Sequence, residues 1–421
     1  MRGTWLRDYA RGARRLPRNV RTLTLASFLT DTSTEMLIHL LPLYLANVLG
    51  VRTAIVGVIE GVAEMTSSLL KVASGRISDR VRRRKGLVVT GYALSTFAKP
   101  FFALANSWQA ILWTRFVERV GKGIRTSPRD ALIADSTPVK DRGLAFGFHR
   151  AGDTFGAALG ILLAIGLVFW LQGSQTELSG HTFRWIVWVS VLPAAAAVVA
   201  LALGIKEAQP SREGDAAGTP PTRPLRALGK PFYLFLGVIL LFTLGNSSDA
   251  FLVLRAQERG MSLPGVLGLL LLYNLVYATS SGPAGQLSDR VGRKGVILVS
   301  WAMYASAYLL LAFASAGWHL LIAFAIYGLF SALFEGSAKA YVADLTPADS
   351  RGTAYGVYNA AIGVAALPAS VLAGILWQGV GGWTGFGPSA PFLVGGLLAV
   401  LAAILLLRVP SGQTTAEAES R

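Results

Sequence analysis

The stretch GRISDRVRRRKG at residues 75–86 returns, one residue shorter, as GQLSDRVGRKG at 285–295. Both copies keep a leading glycine, an Asp-Arg pair and a cluster of bases, and each sits between two apolar runs. A segment spelled twice about half a chain apart points to duplication, and its setting points to a loop between membrane spans. Composition agrees: hydrophobic residues make up 53% and charged residues 15%, where soluble domains carry roughly 25% charge. The net charge of +16 would suggest nucleic acid on a soluble protein. Here the bases come in bursts between apolar segments, so no nucleic-acid partner is expected and the bilayer is. The chain has no cysteine, which excludes disulfides and thiolate metal sites, and no metal site is expected.

Apolar runs of about 20 residues number twelve, at 22–49, 54–76, 87–106, 108–136, 143–171, 184–205, 231–257, 263–287, 295–316, 318–345, 352–378 and 389–409. The first is too long for a signal peptide and carries Asp31, Glu35 and His39, so it reads as an uncleaved helix. Bases crowd the tail (Arg2 to Arg21), the loop after span 2 (Arg76 to Lys85), the middle loop and the loop after span 8, while alternate loops hold almost none. The positive-inside rule then places both termini in the cytoplasm of a plasma-membrane or inner-membrane protein. The organisation expected is a basic tail (1–21), a six-helix bundle (22–205), a flexible linker (206–230), a second bundle (231–409) and a polar tail (410–421).

The halves match beyond the opening motif. ADSTPVKDRGLAFG at 134–147 answers ADLTPADSRGTAYG at 343–356, WLQG at 170–173 answers LWQG at 376–379, and FLTDTSTE at 28–35 loosely answers FTLGNSSD at 242–249. All four pairs lie at offsets between 206 and 214 residues. The expected fold is therefore all-α and integral to the membrane: twelve transmembrane helices as two pseudo-symmetric six-helix bundles, with substrate held between parallel repeats.

These residues resemble the major facilitator superfamily over essentially the whole chain, and ERVGKGIRTSPRDALIAD resembles a bacterial subgroup of its permeases and efflux proteins. The family's loop signature, Gly-x-x-x-Asp-Arg-x-x-Arg-Arg, is matched by Gly75, Asp79, Arg80, Arg83 and Arg84, and again by Gly285, Asp289, Arg290, Arg293 and Lys294. Physically, Gly75 would let span 2 approach a neighbour closely, and Asp79 would meet arginines or a helix N-terminus. The motif then reads as a latch that closes the outward-facing state, or more plainly as a topology signal.

Ionisable groups at membrane depth cost about 2.5–3.5 kcal/mol each on insertion scales and mark function. Asp31 lies ~15 Å past Arg21 along a helix, near mid-bilayer, and Glu35 and His39 follow on the same face. Span 2 repeats the pattern with Glu60, Glu64 and Lys71. The proton-coupling candidates are Asp31, Glu35, His39, Glu60 and Glu64. On span 4, Arg115, Arg119, Lys122, Arg125 and Arg129 fall within an arc of about 120°, with Glu118 beside them; Glu118 reads equally as scaffold or site. Substrate-binding candidates are Arg115, Glu118, Arg119 and Lys122, with Asn246, Asp249, Asn274 and Glu335 from the second half. Glu335 and Lys339, at i and i+4, read most simply as a mutual ion pair.

Family antiporters carry Gly-x-x-x-Gly-Pro-x-x-Gly in the fifth helix. Gly152, Gly156 and Gly160 match its glycines, Ala157 replaces the proline, and the resemblance implies close contact at the interface between the halves. In the family's span 4 pattern, Glu118 stands where glutamine is usual and Arg119 where glycine is, which favours an anionic or zwitterionic substrate. No Gly-x-x-x-x-Gly-Lys-Ser/Thr run is present, so a proton gradient, with no cofactor, is the expected energy source. The expected activity is transport without enzymatic catalysis: proton-coupled export of a small organic compound by alternating access, acting as a monomer. Uptake of an organic anion or metal chelate, and a non-transporting scaffold or sensor, stand as alternatives.

Overall fold

The computed structural model describes residues 15–81, 84–138, 142–207, 228–347 and 351–410, and every regular element among them is helical. The arginine tail up to Arg14, Arg83 of the loop motif and most of the linker lie outside these residues. Twelve crossings are described. The first, α1 (Arg18–Ile38), resumes as Leu41–Leu43 and a π-helical turn at Tyr44–Val48. There follow α2 (Thr53–Val81), α3 (Arg84–Leu104), α4 (Trp108–Asp135), α5 (Arg142–Gln172) and α6 (Gly180–Gly204). The second half holds α7 (Lys230–Gly245, resuming as Ala250–Glu258), α8 (Leu263–Val291), α9 (Arg293–Phe313), α10 (Gly317–Asp344), α11 (Arg351–Gln378) and α12 (Ala390–Leu406).

Length and composition alone qualify nine of the described helices as membrane spans. The exceptions are informative: α12 is short, while α1 and α4 carry the charges. The first apolar run covers 22–49, but its helix ends at Ile38 with His39 as C-cap. Pro42, without an N–H to return to the preceding turn, explains the break. A second break follows Gly245, where Asn246 closes the helix through N–H bonds to Phe242 O and Thr243 O, and Ser248 Oγ accepts the Ala250 N–H at 3.2 Å. Elsewhere Ser107 and Ser179 cap α4 and α6 by accepting backbone N–H groups. Gly292, at φ 96°, makes the abrupt turn from α8 to α9 that the second loop motif requires.

The described residues form two compact units: those of Met1–Tyr44, Thr66–Gly173 and Leu178–Gly218, and those of Leu45–Met65, Ser174–Glu177 and Thr219–Arg421. In the first unit α1 lies against α5 and α6, and α3 against α4 and α6. Small residues set these distances, since lipid offers no hydrophobic drive and helices in membranes associate by close contact. A Cβ on Gly152 would strike Thr24, one on Gly156 the backbone of Phe28, and one on Gly160 the backbone of Thr32. All three glycines therefore seat α5 on α1 inside one unit, which corrects their expected place between the halves: the helix they face is their own bundle's first. Gly75 needs correction too. A Cβ there would lie 3.4 Å from Ser127 Cβ, an ordinary contact, and Gly285 faces open space. The close approach of α2 to α4 falls instead on Gly123, whose carbonyl accepts Ser74 Oγ at 2.8 Å.

In the second unit α10 lies against α8 and α9, and α12 against α7 and α9. The first half of α2 joins this unit because Gly57 and Gly61 admit the backbone of Ser370 and Leu367 on α11. Thr53 Oγ1 also donates to Gly374 O at 3.0 Å. Large apolar side chains such as Phe155, Trp170, Leu192 and Leu203 remain exposed on α5 and α6, a surface for hydrocarbon to cover.

Gly156→Val is expected to lower the melting midpoint in detergent by roughly 5–10 °C, because α5 must leave α1 to seat the side chain. Gly166→Val, on the same helix but facing open space, should leave it unchanged. Equal shifts for the two variants would contradict this account of α1 and α5.

Candidate functional site

The charged candidates of the first half converge inside the first unit. Glu118, Arg115 and Arg119 on α4 are each at least 96% buried. Arg115 Nη1 donates to Glu118 Oε2 at 3.0 Å, and Arg119 Nε stands 3.5 Å from the same oxygen. One carboxylate thus answers two guanidiniums. On α1, Glu35 Oε2 meets His39 Nε2 at 2.9 Å, with Lys122 and Arg119 also acting on it. Asp31, half-buried one turn earlier, faces Asp153 of α5, Glu35, and Lys122 and Arg125 of α4.

The polar chain continues along α1. Ser27 Oγ accepts Arg129 Nη1 at 3.0 Å, lies 3.0 Å from Tyr92 OH and 3.5 Å from His149 Nε2. His149 in turn stands 3.7 Å from Asp153. Arg125 rests over the Tyr92 ring, 4.0 Å from its centroid, a cation–π contact. The stripe on α4 is therefore answered by Glu118 of the same helix and by groups of α1, α3 and α5.

Other candidates go elsewhere. Glu60 (buried) and Glu64 (exposed) sit on the half of α2 that belongs to the second unit. The glycines that draw α2 onto α11 are the cause. The expected Glu335–Lys339 pair does not form: Tyr277 OH donates to Glu335 Oε2 at 2.8 Å instead. Asp249 Oδ1 accepts Tyr327 OH at 2.9 Å, and Asn274 Nδ2 turns back to Leu270 O at 3.0 Å. Asn246 closes the first part of α7, and its Oδ1 is buried without a hydrogen bond. These groups border an aromatic cluster in which Tyr304 and Tyr308 stack at 4.0 Å and Tyr273 and Tyr327 meet at 5.4 Å.

The repeated loop motif makes the same contacts in each unit. Arg84 Nη1 pairs with Asp135 Oδ2 at 2.7 Å, and Arg293 Nη1 with Asp344 Oδ1 at 3.0 Å. Lys85 Nζ donates to Ala202 O at 3.2 Å, and Lys294 Nζ to Leu407 O at 3.0 Å. Each copy thus ties three helix ends of its own unit together, and its acidic partner is the aspartate of the other repeated segment, Ala-Asp-x-Thr-Pro. Arg80 and Arg290 are exposed; the Asp79 and Asp289 side chains lie outside the description.

Two buried cations escaped the sequence reading. Lys99, 2% exposed in the middle of α3, and Arg255, fully buried on α7, both interrupt apolar runs, so the insertion cost applied to Asp31 would have found them. Arg255 is a structural tie, donating to Leu311 O at 2.8 Å and to Ala312 O and Ser389 Oγ. Lys99 Nζ donates to Ser33 Oγ and, at 3.2 Å, to Thr34 Oγ1.

A duplicated six-helix unit of membrane-crossing helices, with acids and bases gathered on the first and fourth of them, defines a multi-pass membrane transporter. The chain belongs to the Major Facilitator Superfamily, whose model matches residues 23–273 and again 250–421. It is 37% identical over 400 residues, 94% of this chain and 95% of the other, to an uncharacterized MFS-type transporter of Methanocaldococcus jannaschii. It is 31% identical over 139 residues, 33% of each chain, to the class B tetracycline resistance protein of Escherichia coli. Its fold is similar to that of the nucleoside transporter NupG (D323A mutant), with TM-score 0.76 at 13% identity over 93% of this chain and 99% of the other. Such proteins carry small molecules across membranes and are not enzymes.

Removing one partner of a buried ion pair costs about 3–5 kcal/mol. Glu118→Gln is therefore expected to lower the melting midpoint by roughly 10 °C. Glu335→Gln, at an exposed site, should shift it by less than about 2 °C. A Glu118→Gln protein as stable as wild type would show that the two arginines do not depend on this carboxylate.

Proposed function

We propose that this chain is a secondary transporter of the plasma or inner membrane, termini cytoplasmic, that couples proton entry to export of a small organic compound by alternating access. The observation that carries the reading is the placement of Asp31 and Glu35 on one face of α1, half-buried among Lys122, Arg119 and Arg125 and linked to His39. Adding a proton to Asp31 removes a negative charge facing Lys122 and Arg125, and so changes how strongly α1 holds α4. Binding of a compound at the α4 cations changes the same balance from the other side. Occupancy and protonation are coupled through shared charges, which is what exchange requires. Likeness to a tetracycline resistance protein supports export, since resistance follows from removal of a compound.

Uptake of an organic anion is the second reading, and one observation favours it. Lys99, Arg115 and Arg119 gather around the carboxylate of Glu118, a group of buried cations suited to an anion.

Reconstituted vesicles with an imposed pH gradient decide between them. Export predicts that compound and protons move in opposite directions, uptake that they move together. Asp31→Asn should cut gradient-driven flux by roughly 100-fold while leaving exchange of labelled for unlabelled compound intact. Unchanged gradient-driven flux in that variant would refute the role given to Asp31.

A further inference from the structure

Asp153, on α5, holds a place that the transport scheme above does not use. The glycines on either side of it fix that place. Gly152 lies against Thr24 and Gly156 against the backbone of Phe28, so the turn of α5 that carries Asp153 is pinned to the turn of α1 just before Asp31. The Asp153 carboxylate accordingly faces Asp31 and lies beside Ser27. Its Oδ1 is buried without a hydrogen bond. The His149 Nε2 contact, at 3.7 Å, is too long to satisfy it.

The charges around the two acids come from every helix packed against them. Asp31 faces Glu35 of its own helix and Lys122 and Arg125 of α4, and it acts on Lys99 of α3. Asp153 faces Arg129 and Asp130 of α4 and Arg150 of its own helix. The nearest of these bases have other attachments. Arg129 Nε pairs with Asp130 Oδ1 at 2.9 Å and its Nη1 donates to Ser27 Oγ, while Arg125 rests on the Tyr92 ring. Two carboxylates thus face each other across the contact of α1 with α5. In an interior of low dielectric, ionising both costs more than ionising one.

We propose that Asp31 and Asp153 hold one proton between them, so that Asp153 is a second proton-carrying residue of this transporter. The step is acid–base exchange alone: the proton of one carboxyl passes to the other carboxylate, and the negative charge passes back. The pair then titrates as a unit rather than as two separate acids. By the register of Gly152 and Gly156, Asp153 stands nearer the starts of α1 and α5 than Asp31 does. Sharing therefore extends the line of proton-carrying groups on α1 toward that end. The inference rests on the transport reading only in giving the proton a destination; the pair titrates with no cargo present.

The test uses the full-length protein in nanodiscs with protons as the only probe. The protonated-carboxyl stretch is followed by infrared difference spectroscopy through a pH titration. Removing the facing negative charge favours the ionised form of Asp31, so Asp153→Asn is expected to move the midpoint of the band down by about one pH unit. Asp153→Glu should keep it near the wild-type value. Asp130→Asn releases Arg129 from its ion pair but takes no carboxylate away from Asp31, and should leave the midpoint where it was. An unchanged midpoint in Asp153→Asn would overturn the proposal. An equal shift in Asp130→Asn would overturn it too, by tracing the effect to Arg129. Should Asp153→Asn fail to fold, Asp153→Ser removes the same charge with a smaller side chain and decides by the same midpoint. The expected shift without proton-linked flux in vesicles would leave the pair standing and remove the coupling proposed above. Proton-linked flux with an unmoved midpoint would do the reverse.

Discussion

Buried positive charge in a bundle surrounded by lipid is the constraint on which the first unit depends. Arg115, Arg119 and Arg125 on α4 and Lys99 on α3 are all nearly inaccessible, and none of them can be satisfied by hydrocarbon. Each is answered by something specific: the Glu118 carboxylate, the hydroxyls of Ser33 and Thr34, or the face of Tyr92. Those answers come from α1, α3 and α4, so the charges decide which helices must lie side by side. The close contacts at Gly152, Gly156 and Gly160 bring α5 onto the same α1 and add Asp153 and His149 to the set. The same residues that meet the structural need for counter-charge are those to which the proposed function assigns proton exchange.

The second unit solves a lighter version of the problem with aromatic residues. Asp249 and Glu335 take hydrogen bonds from tyrosines rather than from bases, and Arg255 is spent on carbonyls at the ends of helices. What the two units do share is the arginine-to-aspartate tie between the repeated loop motif and the repeated Ala-Asp-x-Thr-Pro segment. Duplication preserved the scaffold at the helix ends and let the interiors diverge. The interior of the first unit is rich in charge and that of the second in aromatic rings.

Twelve spans, the internal repeat and the family were legible because membrane burial demands long apolar runs and because the loop motif is written twice. The acids of α1 and the bases of α4 were legible for the opposite reason, as charges that an apolar run should not contain. Lys99 obeys the same rule and was passed over because it stands alone, with no periodic partner on its own helix. Other features depend on who the neighbour is. That Gly156 meets Phe28 rather than the other half of the chain, that Glu335 prefers Tyr277 to Lys339, and that half of α2 goes with α11 are tertiary facts with no local signature. Helix spacing shows which residues share a face, and only the partner helix decides what that face touches.

The central claim is that carboxylates of α1 change protonation within the folded protein. Infrared difference spectroscopy of the carboxyl stretch, recorded on the full-length protein in lipid across a pH step, tests it most directly. The account predicts a protonated-carboxyl band that appears as pH falls, loses intensity in Asp31→Asn, and shifts in Glu35→Gln because the two acids share a helix face. A band that is the same in wild type and both variants would contradict it.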